Sequence, residues 1–161
     1  MESNSVKGPI FFGEYELNID DKNRLTLPAE IRKAFDPERD GQAFVVTVGT
    51  NGVVWLQPAK FYIERAMELP AEITPSDDQL AYDQVNFALA KPIEWDKQGR
   101  ILIPDGTLKR TNTGKTVTLI GARTHLQVWN RAAWEERREF LEKQRPDIAK
   151  RAMQARQASA T

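Results

Sequence analysis

Apolar and polar positions alternate in short bursts along this chain, and each burst is cut by turn residues. "GEYELNI", residues 13–19, alternates as a half-buried strand does; "DDKNR" supplies turn chemistry, and "LTLP" resumes the alternation as far as Pro28. The pattern predicts a hairpin. Pro28 suits the first turn of a short helix, "PAEIRKAF", with Ile31 and Phe35 four apart on one face. "AFVVTVGTNGVVWL" predicts a second hairpin, its β-branched runs joined by a "GTNG" turn that tolerates positive φ. A helix is predicted over 58–69, started by Pro58 and carrying Tyr62, Ala66 and Leu69 at helical spacing. Residues 70–79 hold Pro70, Pro75 and an acidic pair and read as a boundary; "LAYDQVNFALAKP" then predicts a short helix ending before Pro92.

The order then repeats. "WDKQGRILIP" follows "IDDKNRLTLP" in register, with Asp20 and Asp96, Arg24 and Arg100, and Pro28 and Pro104 each 76 positions apart. "IPDGTLKR" reads as helix or turn, "KTVTLIG" and "HLQVWN" as paired strands around "ARTH", and a helix follows from about Arg131. Gly49 and Gly121 also correspond, at an offset of 72. Strand, turn, strand, short helix, hairpin, helix occurs twice, so an internal duplication is the economical explanation. In the last helix Asn130 is a candidate N-cap, Glu139 and Lys143 form a favourable pair four apart, and Trp134 and Leu141 share a stripe. Past Pro146 the polar, Ala-rich, net basic tail is expected to be frayed or disordered.

Composition sharpens this picture. With 40% hydrophobic and 29% charged residues over 161 positions, the chain is globular. Halves of roughly 75 residues could each bury only about 60 to 65% of their unfolded surface, so they gain by sharing a core. Cysteine is absent and His125 is the only histidine, which excludes disulfides, thiolate sites and multi-imidazole metal clusters. The longest apolar runs are strand-sized and no signal pattern opens the chain, so a cytoplasmic protein with no membrane span is expected. The net charge is zero, yet residues 1–94 carry 9 Lys/Arg against 16 Asp/Glu (−7) and residues 95–161 carry 14 against 7 (+7). Either an acidic half meets the basic half of a neighbouring copy, a contact that can close rings, or a basic C-terminal helix and tail simply supply the excess.

Asp20, Asp21 and Asp96 invite an acid/base reading, but each lies in a turn beside Lys22 and Arg24 or Lys97 and Arg100. An aspartate that closes its own turn and pairs with its arginine is the plainer reading. With no nucleophile elbow, phosphate-cradling glycine loop or calcium loop, no catalytic residue, metal or cofactor is expected. His125 reads as a surface or half-buried strand residue, and Trp55, Trp95, Trp129 and Trp134 as core or interface anchors. The basic side chains allow two readings. Lys22, Arg24, Lys97 and Arg100 either decorate solvated turns or form a basic surface for DNA, with lysines on phosphates and an arginine bidentate to a base.

Those residues carry a resemblance. "FFGEYELNIDDKNRLTLPAEIRKAF", the acidic linker and its helix, "DKQGRILIPDGTLK" and "VTLIGARTHLQVWNRAAWEE", spanning most of 11–136, resemble the MraZ family of bacterial regulators. The resemblance implies a mainly β chain with short helices (α+β): a duplicated AbrB-like swapped-hairpin β-barrel with pseudo-twofold symmetry, interlocked halves and a C-terminal helix. It divides the chain into a first repeat (10–69), an acidic linker with a short helix (70–92), a second repeat with the C-terminal helix (93–145) and the tail (146–161). It further implies a ring-shaped homo-oligomer in the cytoplasm or nucleoid, regulating transcription of the division and cell wall gene cluster that includes its own gene. Short direct repeats of double-stranded DNA near the promoter would be the target. Carried over to this chain, Arg24 is the leading DNA contact with Lys22 beside it, Arg100 and Lys97 are their second-repeat equivalents, and Asp20, Asn23, Asp96 and Gly99 shape the turns. Asn23 stands where the family usually has glycine, the basic residues often found after the linker are missing from "AYDQVNFALA", and Gln127 replaces a usual acidic residue. The rival expectations are a protein-interaction or scaffold ring, favoured by the neutral net charge, and an antitoxin-like autorepressor, which usually carries one repeat.

Overall fold

Three prolines set three helices. In the computed structural model, which describes residues 8–160, Pro28, Pro58 and Pro104 hold φ at −55°, −52° and −57° directly ahead of α1 (Ala29–Lys33), α2 (Ala59–Met67) and α4 (Asp105–Thr111). The fixed ring torsion pre-forms the entry to each helix. The strands are β1 (Glu14–Asn18), β2 (Arg24–Thr26), β3 (Ala43–Val48), β4 (Val54–Pro58), β5 (Lys91–Glu94), β6 (Arg100–Leu102), β7 (Thr116–Gly121) and β8 (Leu126–Asn130). The architecture is α+β, with antiparallel pairing throughout.

The main sheet runs β1-β7-β8-β4-β3-β5, and β2 pairs with β6 in a separate two-stranded ribbon. Exchanging β1 with β5, β3 with β7 and β4 with β8 turns the sheet order into its own reverse. The hairpins β3–β4 and β7–β8 form as the alternation predicts. The two hairpins expected around the acidic-basic turns do not. β1 leaves its turn to pair with β7, β5 leaves its turn to pair with β3, and the strands that follow the turns, β2 and β6, pair with each other. Alternation fixes which face a strand buries and is silent about which neighbour it takes. β1 and β5 end the sheet, and no pairing among the described residues closes it into a barrel.

The exchange puts one core between the two halves of the chain. Leu25, Leu27, Phe44, Val46, Val54 and Leu56 from the first meet Ile101, Ile103, Val117, Leu119, Leu126 and Val128 from the second, all at 0 or 1% exposure. Phe11, Phe35, Phe44 and Trp95 form an aromatic cluster within it, with Phe35 edge-on to Phe44 and Trp95 at centroid distances of 5.0 and 4.9 Å. Gly121 permits a close approach: a Cβ there would lie 2.5 Å from the Phe11 carbonyl carbon and the Phe12 nitrogen.

Two helices differ from expectation. α3 (Asp77–Phe87) begins inside the stretch read as linker, because Ser76 and Gln79 close a capping box in which the Gln79 N–H donates to Ser76 Oγ (3.3 Å) and the Ser76 N–H to Gln79 Oε1 (2.7 Å). The tail expected to fray is helical as α6 (Arg145–Ser159), with Pro146 in its first turn and strong helix formers after it. The chain divides into two units, one ending at Asn130 and one, comprising α5 (Arg131–Lys143) and α6, beginning at Arg131. Within the second unit the expected Glu139–Lys143 pair forms at 3.1 Å.

Candidate nucleic-acid interface

The two acidic-basic turns have the same hydrogen-bond plan. In the first, Asp20 Oδ1 accepts from the backbone N–H groups of Lys22 (2.9 Å) and Arg24 (2.8 Å), and Oδ2 accepts from Arg24 Nε (2.7 Å). In the second, Asp96 Oδ1 accepts from Gln98 and Arg100 (both 2.9 Å), and Oδ2 from Arg100 Nε (2.8 Å). Backbone bonds from Asn23 to Asp20 (3.0 Å) and from Gly99 to Asp96 (2.9 Å) close both turns. The left-handed position is Gly99 at φ 75° in one and Asn23 at φ 62° in the other, the conformation in which asparagine is the best-tolerated residue after glycine. Asp20 and Asp96 thus accept the bonds that close the two turns, and Asn23 and Gly99 hold the left-handed position in each.

The aspartates do more than close a loop. Each uses Oδ2 on its arginine's Nε, and the forked Nη end of the guanidinium has no hydrogen bond to any described residue. Arginine is thereby held at its base and open at its tip. The side chains of Arg24 and Arg100 are 31% and 27% exposed, which leaves them reachable yet ordered.

β2 and β6 bring the turns together. Arg24 faces Leu102, Leu25 faces Ile101 and Thr26 faces Arg100. Leu25 and Ile101 point into the core at 0% exposure, so the period of two sends Arg24, Thr26, Arg100 and the 52% exposed Leu102 to the opposite face. The arginines are diagonal neighbours, with Cα atoms roughly 7 to 8 Å apart by ribbon geometry. Backbone bonds Leu27 N to Gly99 O (2.8 Å) and Ile103 N to Asn23 O (2.9 Å) extend the ladder onto both turns.

The lysines are not equivalent. At the offset of 76, Lys22 matches Gln98 and Lys97 matches Asp21, and the Lys22 and Gln98 N–H bonds to Asp20 and Asp96 confirm that register. The pairing of Lys22 with Lys97 is thus corrected: each turn has one exposed lysine, at adjacent rather than matching positions.

The backbone N–H of Arg24 contributes most to lowering the Asp20 pKa, outweighing partial burial, and Arg100 does the same for Asp96. Asp40 is pulled down as well: burial opposes its ionisation, but bonds from the Arg39 guanidinium and the Asp36 N–H prevail. A carboxylate with a lowered folded pKa contributes stability that is present above its unfolded pKa of about 4 and is lost as pH falls through the folded value. Denaturant midpoints are therefore expected to fall as pH drops from about 5 towards 2, and less steeply in Asp20→Asn/Asp96→Asn; equal slopes would remove the turns from the acid response.

The other candidates are structural. His125 is half-buried and stacks on Trp55 at 4.1 Å, and burial lowers its pKa. Trp95 is in the aromatic cluster, and Trp129 donates Nε1–H to Gln127 Oε1 (2.9 Å). No group of three or more acidic or histidine side chains among the described residues could hold a metal. Sequence reasoning missed two cations. Lys115 donates its ammonium to Asn23 Oδ1, and the Arg32 side chain lies against Gly99, where a Cβ would meet its Nε at 2.7 Å. Neither is near its turn in the chain, so no local signal marks them.

Comparison with known proteins finds a family and named relatives. A family described as "MraZ protein, putative antitoxin-like" matches residues 10–74 and 87–156. The chain is 33% identical over 130 residues to the transcriptional regulator MraZ of Clostridium tetani, covering 79% of this chain and 86% of the relative. It is 34% identical over 127 residues to that of Moorella thermoacetica (79% and 85%), and 33% over 143 residues to that of Pediococcus pentosaceus (87% and 94%).

Proposed function

The chain belongs to the MraZ family, whose named members are transcriptional regulators and not enzymes, and on that premise we propose that it is a sequence-specific DNA-binding regulator acting through its two Asp-x-x-x-Arg turns. The observation that carries the reading is the β2–β6 ribbon, which sets two tethered, fork-open arginines side by side on one exposed face. The major groove admits a two-stranded ribbon, and an arginine fork matches guanine O6 and N7. Arg24 and Arg100 would read bases, Lys22 and Lys97 would meet phosphates, and Thr26 and Leu102 offer apolar contact to a thymine methyl. The reversal of the sheet order under exchange of repeats supports a duplicated swapped-hairpin unit with pseudo-twofold symmetry.

A single ribbon is a small footprint, and short direct repeats near the promoter of the division and cell wall gene cluster, the chain's own gene included, would call for several in register. A ring of copies in the cytoplasm or nucleoid meets that need through avidity. Support for self-association comes from α2, the linker and α3, where Met67, Leu69, Ile73, Leu80, Tyr82 and Val85 are exposed on a stretch with no Lys or Arg between Arg65 and Lys91. Exposed apolar surface of that extent marks an interaction face, and its acidity complements the basic second half.

The test is binding of the purified protein, at stated salt, to DNA from its own upstream region and to the same DNA shuffled, with sedimentation of the free protein alongside. A preference of about a thousandfold or more is expected for a specific regulator, with a sedimenting species several chains in mass. Equal binding to both DNAs would sink the regulator reading, and a stable monomer would remove the avidity.

A further inference from the structure

We propose that Lys115, contributed by the second repeat, is a phosphate-contacting residue of the first turn, held in place by Asn23; the inference rests on the DNA-binding reading above. The backbone fixes its position first. β1 and β7 pair with Asn18 opposite Thr116, and one step further the Ile19 N–H donates to the Lys115 carbonyl (2.8 Å), so Lys115 sits at the foot of the turn that begins at Asp20. Its ammonium then donates to Asn23 Oδ1 and, at 3.4 Å, to the Asp20 carbonyl. Two of its three donors are thereby spent on orientation and one is left for a ligand. The pKa of nearby Asp105 is lowered chiefly by its ion pair with Lys109 (2.9 Å), with smaller contributions from Asn23 and from the Lys115 charge.

The exchange of repeats shows that this arrangement is specific to one turn. At the matching foot of the second turn Gln42 takes the place of Lys115: Glu94 pairs with Ala43 as Asn18 pairs with Thr116, and the Trp95 N–H reaches the Gln42 carbonyl at 3.4 Å. Gly99 likewise replaces Asn23. The anchor and the cation therefore occur together on the first turn and are both missing from the second. Charge gives the reason. Asp20 and Asp21 cancel Lys22 and Arg24, whereas at the second turn Asp96 alone faces Lys97 and Arg100, with Arg32 packed over Gly99. Without Lys115 the first turn would present no net positive charge to a polyanion. With it, each turn presents an excess cation, so both can engage the same strand pair. An ammonium suits a phosphate, because it is a compact point charge without the planar fork that reads bases.

Salt titration separates this role from a purely structural one. Each phosphate neutralised contributes about −0.9 to the slope of log K against log salt. Lys115→Gln is expected to flatten that slope by about 0.9 per engaged subunit, to weaken specific and shuffled DNA by the same factor, and to leave the melting temperature near wild type, since the side chain is exposed. Lys115→Arg should restore the slope. A wild-type slope in Lys115→Gln overturns the proposal, and so does a flattened slope that Lys115→Arg fails to restore. Failure of the wild type itself to prefer its upstream DNA defeats the parent reading instead, and is seen before any variant is made.

Discussion

Arg24→Ala is expected to weaken binding to the cognate upstream DNA by about 1 to 3 kcal/mol per engaged site, roughly 5- to 150-fold, multiplied through the copies bound. The fold should survive the change. Asp20 keeps its backbone bonds from Lys22 and from residue 24, which close the turn without any guanidinium. The loss would then appear in affinity and sequence preference while the melting temperature stays close to wild type. Arg24→Lys sharpens the reading: a lysine keeps the charge and loses the fork, so binding to shuffled DNA and the salt slope should persist while discrimination falls. Equal discrimination in Arg24→Lys and wild type would mean that the first turn contacts phosphates only. The same pair of substitutions at Arg100 reports whether both turns read bases.

The second large effect is on the scaffold. Leu25→Ala is expected to destabilise the protein by about 2 to 5 kcal/mol, the usual range for emptying a fully buried leucine site, against a total of roughly 5 to 15 kcal/mol for an ordinary domain. Leu25 is 0% exposed, stands opposite the equally buried Ile101, and lies one residue from Arg24. The ribbon is three residues long on each strand, so this central pair is its hold on the core. Urea unfolding at constant m-value measures the cost. A loss below about 1 kcal/mol would place the ribbon outside the cooperative core, and the two arginines would then not be rigidly spaced.

Much of this was legible in the chain, for identifiable reasons. Strands and proline-started helices are local properties, and they lie where local rules put them. Partner choice is not local. The alternation in "GEYELNI" says that Tyr15 and Leu17 share a face, but cannot say that they meet Leu119 and Val117. α3 was legible and misplaced, because the Ser76–Gln79 box lies among prolines that suggested a linker. At the site, Arg24 and Arg100 declared themselves by repetition. Lys115 and Arg32 had no such marker, since they reach their turns from 92 and 67 residues away, and only the folded pairing shows them.

The crossed pairing also bears on how the chain is made. Glu14 meets Ile120 and Asn18 meets Thr116, so β1 is synthesised about a hundred residues before its sheet partner β7 emerges from the ribosome. β3 and β4 can zip at once into their hairpin, but the edges later filled by β5 and β8 stay open meanwhile. Such long-range closure slows folding, and unpaired edges are templates for the wrong strand. When several ribosomes translate one message, the nearest supply of a matching strand is the second repeat of the neighbouring nascent chain. Exchange between chains during synthesis is thus the characteristic hazard of this topology, and one that the covalent joining of the partner strands in one chain reduces by keeping the correct partner at high local concentration.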